Sequence, residues 1–253
     1  MTCPNTLQSS LKPFSQLTRP REVIRQFTPN WFAATMGTGV LALALAQLPV
    51  NLPGVQAIAE ALWFFTIGLF VLFSVWYAAR WVMFFHEARR IFGHSTVSMF
   101  FGTIPMGLAT ILNGLLLFGL PRWGDSVVPV AEALWWLDVA MALACGVLIP
   151  FMMFTRQEHS IDQMTAVWLL PVVAAEVAAA SGGLLAPHLA DAHSQLTLLV
   201  TSDVLGAFSL HVALRILTIL VLLMALHHLP DHSLPLTDPL LGGHLGPVGH
   251  VLR

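Results

Sequence analysis

The sequence predicts an all-α integral membrane protein that crosses the bilayer about six times. Of its 253 residues, 57% are hydrophobic and only 9% are charged, whereas a soluble domain carries about 25% charged residues. The apolar residues form continuous runs, and a membrane-spanning helix needs about 20 such residues. Membrane β-barrels show short alternating segments instead, so the runs favour helices.

Six apolar runs are long enough to be spans, and the connections between them are short. They cover about residues 31–50, 58–85, 97–120, 130–154, 164–185 and 196–226. We therefore divide the chain into a cytoplasmic segment (residues 1–29), a transmembrane helical domain of six spans (30–228) and an irregular tail (229–253).

The basic residues concentrate on one side of the predicted spans. That side holds Lys12, Arg19, Arg21, Arg25, Arg80, Arg89, Arg90 and Arg156. The opposite connections hold only Arg122. Because positive residues favour the cytoplasmic side, we expect a multi-pass protein of the inner or plasma membrane, with its N-terminus and C-terminus in the cytoplasm.

Odd-numbered and even-numbered spans differ in residue size. The odd spans contain glycine, alanine and internal proline, whereas the even spans are rich in tryptophan and phenylalanine. Small residues let helix backbones approach closely, and bulky apolar residues suit contact with lipid. We therefore expect three hairpins, each with an inner odd span and an outer even span.

The second and fourth spans begin with the same five residues. Residues 59–63 and 131–135 both read Ala-Glu-Ala-Leu-Trp, at an offset of 72 residues, which is one hairpin of two spans. Transporters are often built from internal repeats. The alternative is that two helices simply begin at the same interface with similar residues.

Three segments on alternate spans resemble one family of membrane proteins. They read Phe27-Thr-Pro-Asn-Trp-Phe-Ala-Ala-Thr-Met-Gly-Thr-Gly39, Phe101-Gly-Thr-Ile-Pro-Met-Gly107 and Gln163-Met-Thr-Ala-Val-Trp-Leu-Leu-Pro-Val-Val173. In this order they resemble the tellurite-resistance/dicarboxylate transporter family, which includes TehA-like channels, malate permeases, sulfite efflux pumps and slow-type anion channels. The similarity covers about residues 25–229.

The resemblance implies transport of a small anion, by a secondary carrier or a channel, and not enzymatic activity. The anion would be a C4-dicarboxylate such as malate, or an inorganic anion such as sulfite or chloride. The family pattern implies ten helices, in five inner–outer hairpins around one pore, and usually a homotrimer. Six spans would supply three of these hairpins, with the lipid bilayer and the anion as partners.

Several residues inside the spans could line the path of the anion. These candidates are Gly37, Gly39, Pro105, Pro171, Glu176, His211 and Arg215. The glycines and prolines would widen or kink inner helices, or serve packing alone. A charge at bilayer depth usually faces a cavity or a partner. Arg215 could therefore attract the anion, or form an ion pair with Asp138 or Glu176, and Glu176 could carry a proton.

Other classes of function fit the sequence less well. A membrane redox protein that binds haem would need histidines paired across spans, and only His211 lies well inside one. The histidines of the tail have no cysteine partners and no compact zinc spacing, so we expect no metal and no cofactor. With a net charge of -2 and no long basic run, nucleic acid is not an expected partner.

The tail changes character after the sixth span. Residues 231–253 are rich in proline, glycine and histidine and contain no run that could span a bilayer, which predicts a loop-like segment. One hypothesis is out-of-frame translation or an early end of the gene model, which would leave a truncated and inactive transporter fragment. The other is a six-span protein whose oligomer completes the pore.

Overall fold

The structure, a computed structural model, describes residues 21–49, 52–156 and 166–226, and these residues form helices and no β-strand. The prediction of an all-α membrane protein is confirmed. The predicted tail, residues 229–253, lies outside the described residues. The α-helices are α1 (Arg21–Gln26), α2 (Phe32–Ala46), α3 (Val55–Met83), α4 (Phe85–Arg90), α5 (Thr103–Gly114), α6 (Leu120–Trp123), α7 (Val128–Thr155), α8 (Leu170–Leu185) and α9 (Ala192–Leu226).

Four segments are long and apolar enough to cross a membrane: Val55–Met83, Val97–Met153, Ala166–His188 and Ala192–Leu222. The second contains predicted spans three and four, because the chain reverses near Gly124, whose φ is 65°. Met99, from its beginning, packs with Ile149 and Met152, from its end.

The helix of the first predicted span is shorter than expected. Residues 31–50 were predicted to form this span, but α2 has only 15 residues, which corresponds to about 22 Å of helix. It follows a 3-10 turn over Pro29–Trp31 and ends before a connection that contains Pro49 and Pro53.

The inner helices share one way of starting. A 3-10 segment precedes each of α2, α5 and α8, over Pro29–Trp31, Val97–Gly102 and Ala166–Leu169. Pro105 and Pro171 then lie in the first turn of α5 and α8. Proline fits there, because the amide groups of a first turn have no acceptor within the helix. Both prolines therefore mark a change of helix type, rather than a kink within a continuous α-helix.

The helices form an inner and an outer layer. The helices α2, α5 and α8 pack side by side, with α3 against α2 and α5, α7 against α5 and α8, and α9 against α8. The most apolar part of Ala166–His188 is 56% buried, compared with 22% for Val55–Met83 and 11% for Ala192–Leu222. The predicted inner position of odd spans and outer position of even spans is confirmed.

The two Ala-Glu-Ala-Leu-Trp segments make equivalent contacts, and the repeat is therefore structural. Trp63 on α3 donates its indole N–H to the carbonyl oxygen of Ile111 on α5, at 3.1 Å. Trp135 on α7 donates to the carbonyl oxygen of Ala178 on α8, at 2.9 Å. These two outer helices, α3 and α7, are thus each bonded to the inner helix of the next hairpin.

A glycine makes room for each of these two indole rings. A Cβ atom on Gly114 would lie 2.9 Å from Cε2 of Trp63, and one on Gly182 would lie 2.8 Å from Cζ2 of Trp135. Real Cβ atoms essentially never approach a ring atom this closely. Both glycines are therefore required by packing between the layers.

Candidate functional site

The inner helix α2 has one buried face and one open face. Phe32, Thr35, Gly39 and Ala42 are buried against neighbouring helices. On the other side, Ala34, Gly37 and Ala44 are exposed, together with the larger Val40 and Leu41 that lie between them. A Cβ atom on Gly37 would have no neighbour within 4 Å. The space beside this part of α2 is therefore open.

The inner helix α8 has the same organisation. Its buried face is built from alanine and includes Ala174, Ala175 and Ala178. Its open face carries Glu176, Ala180 and Gly183, spaced by four and three residues and therefore on one side of the helix. A Cβ atom on Gly183 would again have no neighbour within 4 Å. Glu176 is the acidic residue of this small-residue stripe.

The structure separates the two candidate glycines of the first span. Gly39 faces α5, where a Cβ atom would lie 2.5 Å from Cβ of Thr110, while Gly37 faces open space. Gly39 therefore serves close packing between α2 and α5. Of the two, only Gly37 is on the open face.

Pro105 and Pro171 are both buried rather than exposed on an open face. The start of α5 packs directly on the start of α8, since a Cβ atom on Gly102 would lie 3.0 Å from Cα of Pro171 and 2.7 Å from the carbonyl carbon of Leu170. The two prolines thus shape the junction between inner helices.

His211 and Arg215 lie on the exposed side of the outer helix α9. The side of α9 that packs on α8 carries Leu198, Ser202, Leu205 and Ser209. The Nδ1 atom of His211 is 2.7 Å from the carbonyl oxygen of Ala207, one turn back. The structure therefore places these two candidates away from the inner layer of the described chain.

Of the two alternatives for Arg215, an ion pair with Asp138 or Glu176 is not found in the described part of the chain. The salt bridges found there join Arg25 to Glu87 at 2.7 Å, and Arg122 to Glu60. Asp138 is fully buried, with no hydrogen-bond partner for either carboxylate oxygen. Arg215 is exposed on an outer helix, whereas Asp138 lies within the helix packing, so burial keeps them apart.

Arg80 is a buried cation that sequence reasoning missed. We interpreted it as one of the cytoplasmic positive residues, but only 6% of it is exposed, and its Nη1 donates to the carbonyl oxygen of Phe27. This bond ties the end of α3 to the segment that leads into α2. The aromatic residues around it in sequence, Trp76, Tyr77 and Trp81, were the available signal for burial.

The two ends of the helices differ in charge. Exposed arginines surround the end where α3 finishes and α5 begins: Arg21, Arg25, Arg89, Arg90 and Arg156. At the opposite end lies a cleft of about 350 Å³ that contains Asp125, Glu132, His188 and Asp191. The Ser194 amide and hydroxyl donate to Asp191 at 2.9 and 3.0 Å, which lowers the pKa of this carboxyl.

The carboxylates of this acidic cleft would repel an anion rather than attract it. Its carboxyl groups are not arranged for a metal either, since the described residues contain no group of three or more His, Cys, Asp or Glu side chains that could hold a metal ion. An anion would therefore be attracted at the arginine-rich end and repelled at the acidic end.

Comparison with known proteins agrees with the helical arrangement. Residues 26–250 match SLAC1, a family described as voltage-dependent anion channel. The chain belongs to this family. The resemblance that we inferred from the three motifs on odd spans is confirmed, since sulfite efflux pumps and a malic acid transport protein are among the relatives.

The chain is shorter than the curated relatives it matches. It is 37% identical to the sulfite efflux pump SSU1 of Trichophyton rubrum over 230 residues, which are 90% of this chain and 61% of the relative. An uncharacterized transporter of Methanocaldococcus jannaschii is 31% identical over 231 residues, 90% of this chain and 63% of the relative. The malic acid transport protein of Schizosaccharomyces pombe is 26% identical over 149 residues, 59% and 34% of the two chains.

Proposed function

We propose that this SLAC1-family chain forms a path for a small anion across a membrane, and that a small oxyanion such as sulfite is the substrate. The open space beside Gly37 on α2 and beside the α8 stripe of Glu176, Ala180 and Gly183 carries this proposal. Similarity to a sulfite efflux pump supports the choice of anion. The family and the names of the relatives point to transport rather than to catalysis.

These open positions could line a path for the anion, because they leave space next to the backbone of membrane-spanning helices. Gly37 on α2 and Gly183 on α8 are exposed and have no neighbour at their Cβ positions. Inner helices in a membrane tolerate polar groups and backbone irregularity where they line a cavity. The prolines at the α5–α8 junction would act by shaping this wall rather than by touching the anion.

Glu176 would act as an electrostatic barrier in this path. It is exposed on the α8 stripe, within a span, where an ionised carboxylate repels an anion strongly because little water is present to screen the charges. Replacing the charge, as in Glu176→Gln, should therefore increase anion flux.

The charge difference between the two ends suggests export. If the arginine-rich end faces the cytoplasm, anions would gather there and leave past the acidic cleft. Association steered by such fields falls with ionic strength. Uptake into vesicles that expose the arginine-rich end should therefore slow as salt rises.

Anion flux into proteoliposomes that contain the purified 253-residue chain tests the proposal. Labelled sulfite, malate and chloride would be compared, and sulfite should enter fastest. Gly37→Leu should reduce flux by filling the open side of α2. The matched control is Gly68→Leu, because Gly68 on the outer helix α3 is also exposed without a neighbour but lies outside the inner layer.

Two results would contradict the proposal. Equal flux in both glycine variants would remove α2 from the path. A folded chain that passes none of the three anions would support the alternative of an inactive fragment. A visible absorption spectrum of the purified protein tests the haem alternative, and chemical cross-linking in membranes tests whether the chain forms a homotrimer.

A further inference from the structure

The most unusual titratable group in the described chain is Asp138, in the middle of α7. It is 0% exposed and shares its helix face with Ala131, Trp135 and Ala142, which are equally buried. Neither of its carboxylate oxygens has a hydrogen-bond partner. Buried polar groups in proteins are nearly always paired, so this carboxyl group needs a physical explanation.

The position of Asp138 between two helices is set by contacts on either side of it. One turn earlier, Trp135 bonds to Ala178 of α8. Two turns later, a Cβ atom on Gly146 would lie 3.6 Å from the carbonyl oxygen of Pro171. Asp138 therefore lies along the part of α8 that presents its buried alanines.

The elements packed against α7 supply no buried cation to this carboxyl group in the described chain. The helix α9 also contacts α7, since a Cβ atom on Gly146 would lie 3.2 Å from Cε1 of Phe208. The titratable residues of α9 are all exposed: His193, Asp203, His211 and Arg215. The helix α5 and its flanking segments Val97–Gly102 and Leu115–Gly119 contain no titratable residue, nor does Ile91–Gly93, which also contacts α7. On α8 the one titratable residue is Glu176, on the exposed face. Asp125 lies in the 3-10 segment Gly124–Val127, just before the first residue of α7. The other titratable residues of α7 itself are Glu132 and Cys145.

An ionised carboxylate in this place would be unfavourable for two reasons. It would be a buried charge without a partner, and it would have no hydrogen to offer to the main-chain carbonyl groups around it. A neutral carboxyl group avoids both costs, because it carries one O–H donor.

The internal repeat supplies an independent argument. The offset of 72 residues between the two Ala-Glu-Ala-Leu-Trp segments makes Thr66 the counterpart of Asp138. Thr66 is also 0% exposed, and its hydroxyl donates to the carbonyl oxygen of Leu62, one turn back, at 2.9 Å. The repeat thus places a neutral O–H donor at this position of the first hairpin, and by the same offset the carbonyl of Leu134 would be the acceptor for a protonated Asp138.

We propose that Asp138 is a proton-binding site in the wall between α7 and α8, and that it holds a proton while these helices are packed together. Its ligand is the proton alone, taken from solvent when the helices close. Loss of that proton opposes the packing of α7 on α8. The inference depends on the packing of the helices and not on the proposed transport activity.

Thermal unfolding of the purified chain in nanodiscs, between about pH 5 and about pH 9, tests this site. A group that binds a proton more tightly in the folded state stabilises the fold at low pH, and this contribution is lost as the pH rises. The melting temperature of the wild type should therefore fall towards alkaline pH. Asp138→Asn and Asp138→Thr, the latter copying the first hairpin, should lack this fall, and both should melt above the wild type at alkaline pH.

The matched control is Asp203→Asn, because Asp203 is an exposed acid on α9. This variant should keep the alkaline fall of the wild type. A wild-type profile that is unchanged in Asp138→Asn, or a variant that melts lower at every pH, would overturn the proposal and indicate a paired carboxylate.

Infrared spectroscopy of the wild type covers the case in which neither variant folds. A protonated carboxyl group gives a carbonyl stretching band that shifts in D₂O, and the band should be present at neutral pH and disappear at alkaline pH. Its absence at neutral pH would overturn the proposal without any variant.

Discussion

The indole nitrogen of Trp135 lies 2.9 Å from the carbonyl oxygen of Ala178, and this bond joins outer helix α7 to inner helix α8. The bond of Trp63 to Ile111 does the same one hairpin earlier. A buried tryptophan N–H normally finds an acceptor, and here the acceptor belongs to the next hairpin. The bond therefore holds successive hairpins in register.

Trp135→Phe should destabilise the protein more than Trp136→Phe. The first change removes a buried hydrogen bond, worth about 1 kcal/mol, and leaves space beside Gly182. Trp136 is 41% exposed, so its replacement changes little. Thermal unfolding in detergent measures both variants. Equal shifts in melting temperature would mean that the indole bond contributes nothing.

Gly182→Val should lower stability by about 1–3 kcal/mol through overpacking, since a Cβ atom there would meet Trp135 at 2.8 Å. Gly183→Val is the control, because the neighbouring glycine faces open space. Folded yield and melting temperature distinguish the two. Equal stability of the two variants would mean that α7 does not pack closely on α8 at Gly182.

The layers could be predicted from residue size, but the buried face of each helix could not. A helix in a soluble protein marks its buried face by apolar residues that recur every three or four positions, with polar residues on the opposite face. The helices here are apolar all round, so that signal is weak. Glycine and alanine still indicated which helices lie inside, because close packing needs small residues.

The individual sites depended on contacts between distant parts of the chain. Gly37 and Gly39 are alike in sequence, yet only the second meets Thr110. Arg80 looked like a cytoplasmic surface charge because its acceptor, the carbonyl of Phe27, is a backbone group that no side-chain pattern reveals. The alternative of an ion pair for Arg215 could not be decided from the sequence either, because the sequence indicates how deep a charge lies in the membrane but not which side of the helix it faces.

The ion pair between Arg25 and Glu87 should make the position of α1 sensitive to acid. The hydrogen bond from Arg25 lowers the pKa of the Glu87 carboxyl, so the folded pair stabilises the structure at neutral pH. This contribution is lost as the pH falls through the lowered pKa. The protection factors of residues 21–26, which correct hydrogen exchange for its slower intrinsic rate at acidic pH, should therefore fall as the pH is lowered.

Glu87→Gln is the variant that isolates this effect. It should show low protection factors in α1 at neutral pH and little further change in them on acidification. Glu60→Gln, which breaks the pair with Arg122 at the other end of the helices, should leave exchange in α1 unchanged. Protection factors in α1 of the wild type that do not change with pH would contradict the role of the pair.

Both termini should be cytoplasmic, because arginine concentrates at one end of the helices. Reporter fusions after Asp125 and after Arg156 should report opposite sides of the membrane, with Arg156 on the cytoplasmic side. A cytoplasmic signal from both fusions would mean that α7 does not cross the bilayer.

Arg215→Gln should reduce anion flux if the exposed side of α9 borders the path in the assembled protein. Expression should stay normal, since Arg215 makes no ion pair in the described chain. Thr218→Ala, on the same exposed side, controls for changes in the surface of α9. Normal flux with normal expression would remove Arg215 from the path.

The hydrogen bonds between hairpins also constrain the order in which contacts can form while the protein is synthesised. The acceptor of Trp63 lies 48 residues further along the chain, and that of Trp135 lies 43 residues further. During synthesis, each outer helix must wait in the membrane with an unpaired indole until the ribosome delivers the next inner helix. Neither contact can therefore form before the following inner helix has been synthesised, and a ribosome that pauses between the two leaves the indole N–H without this acceptor.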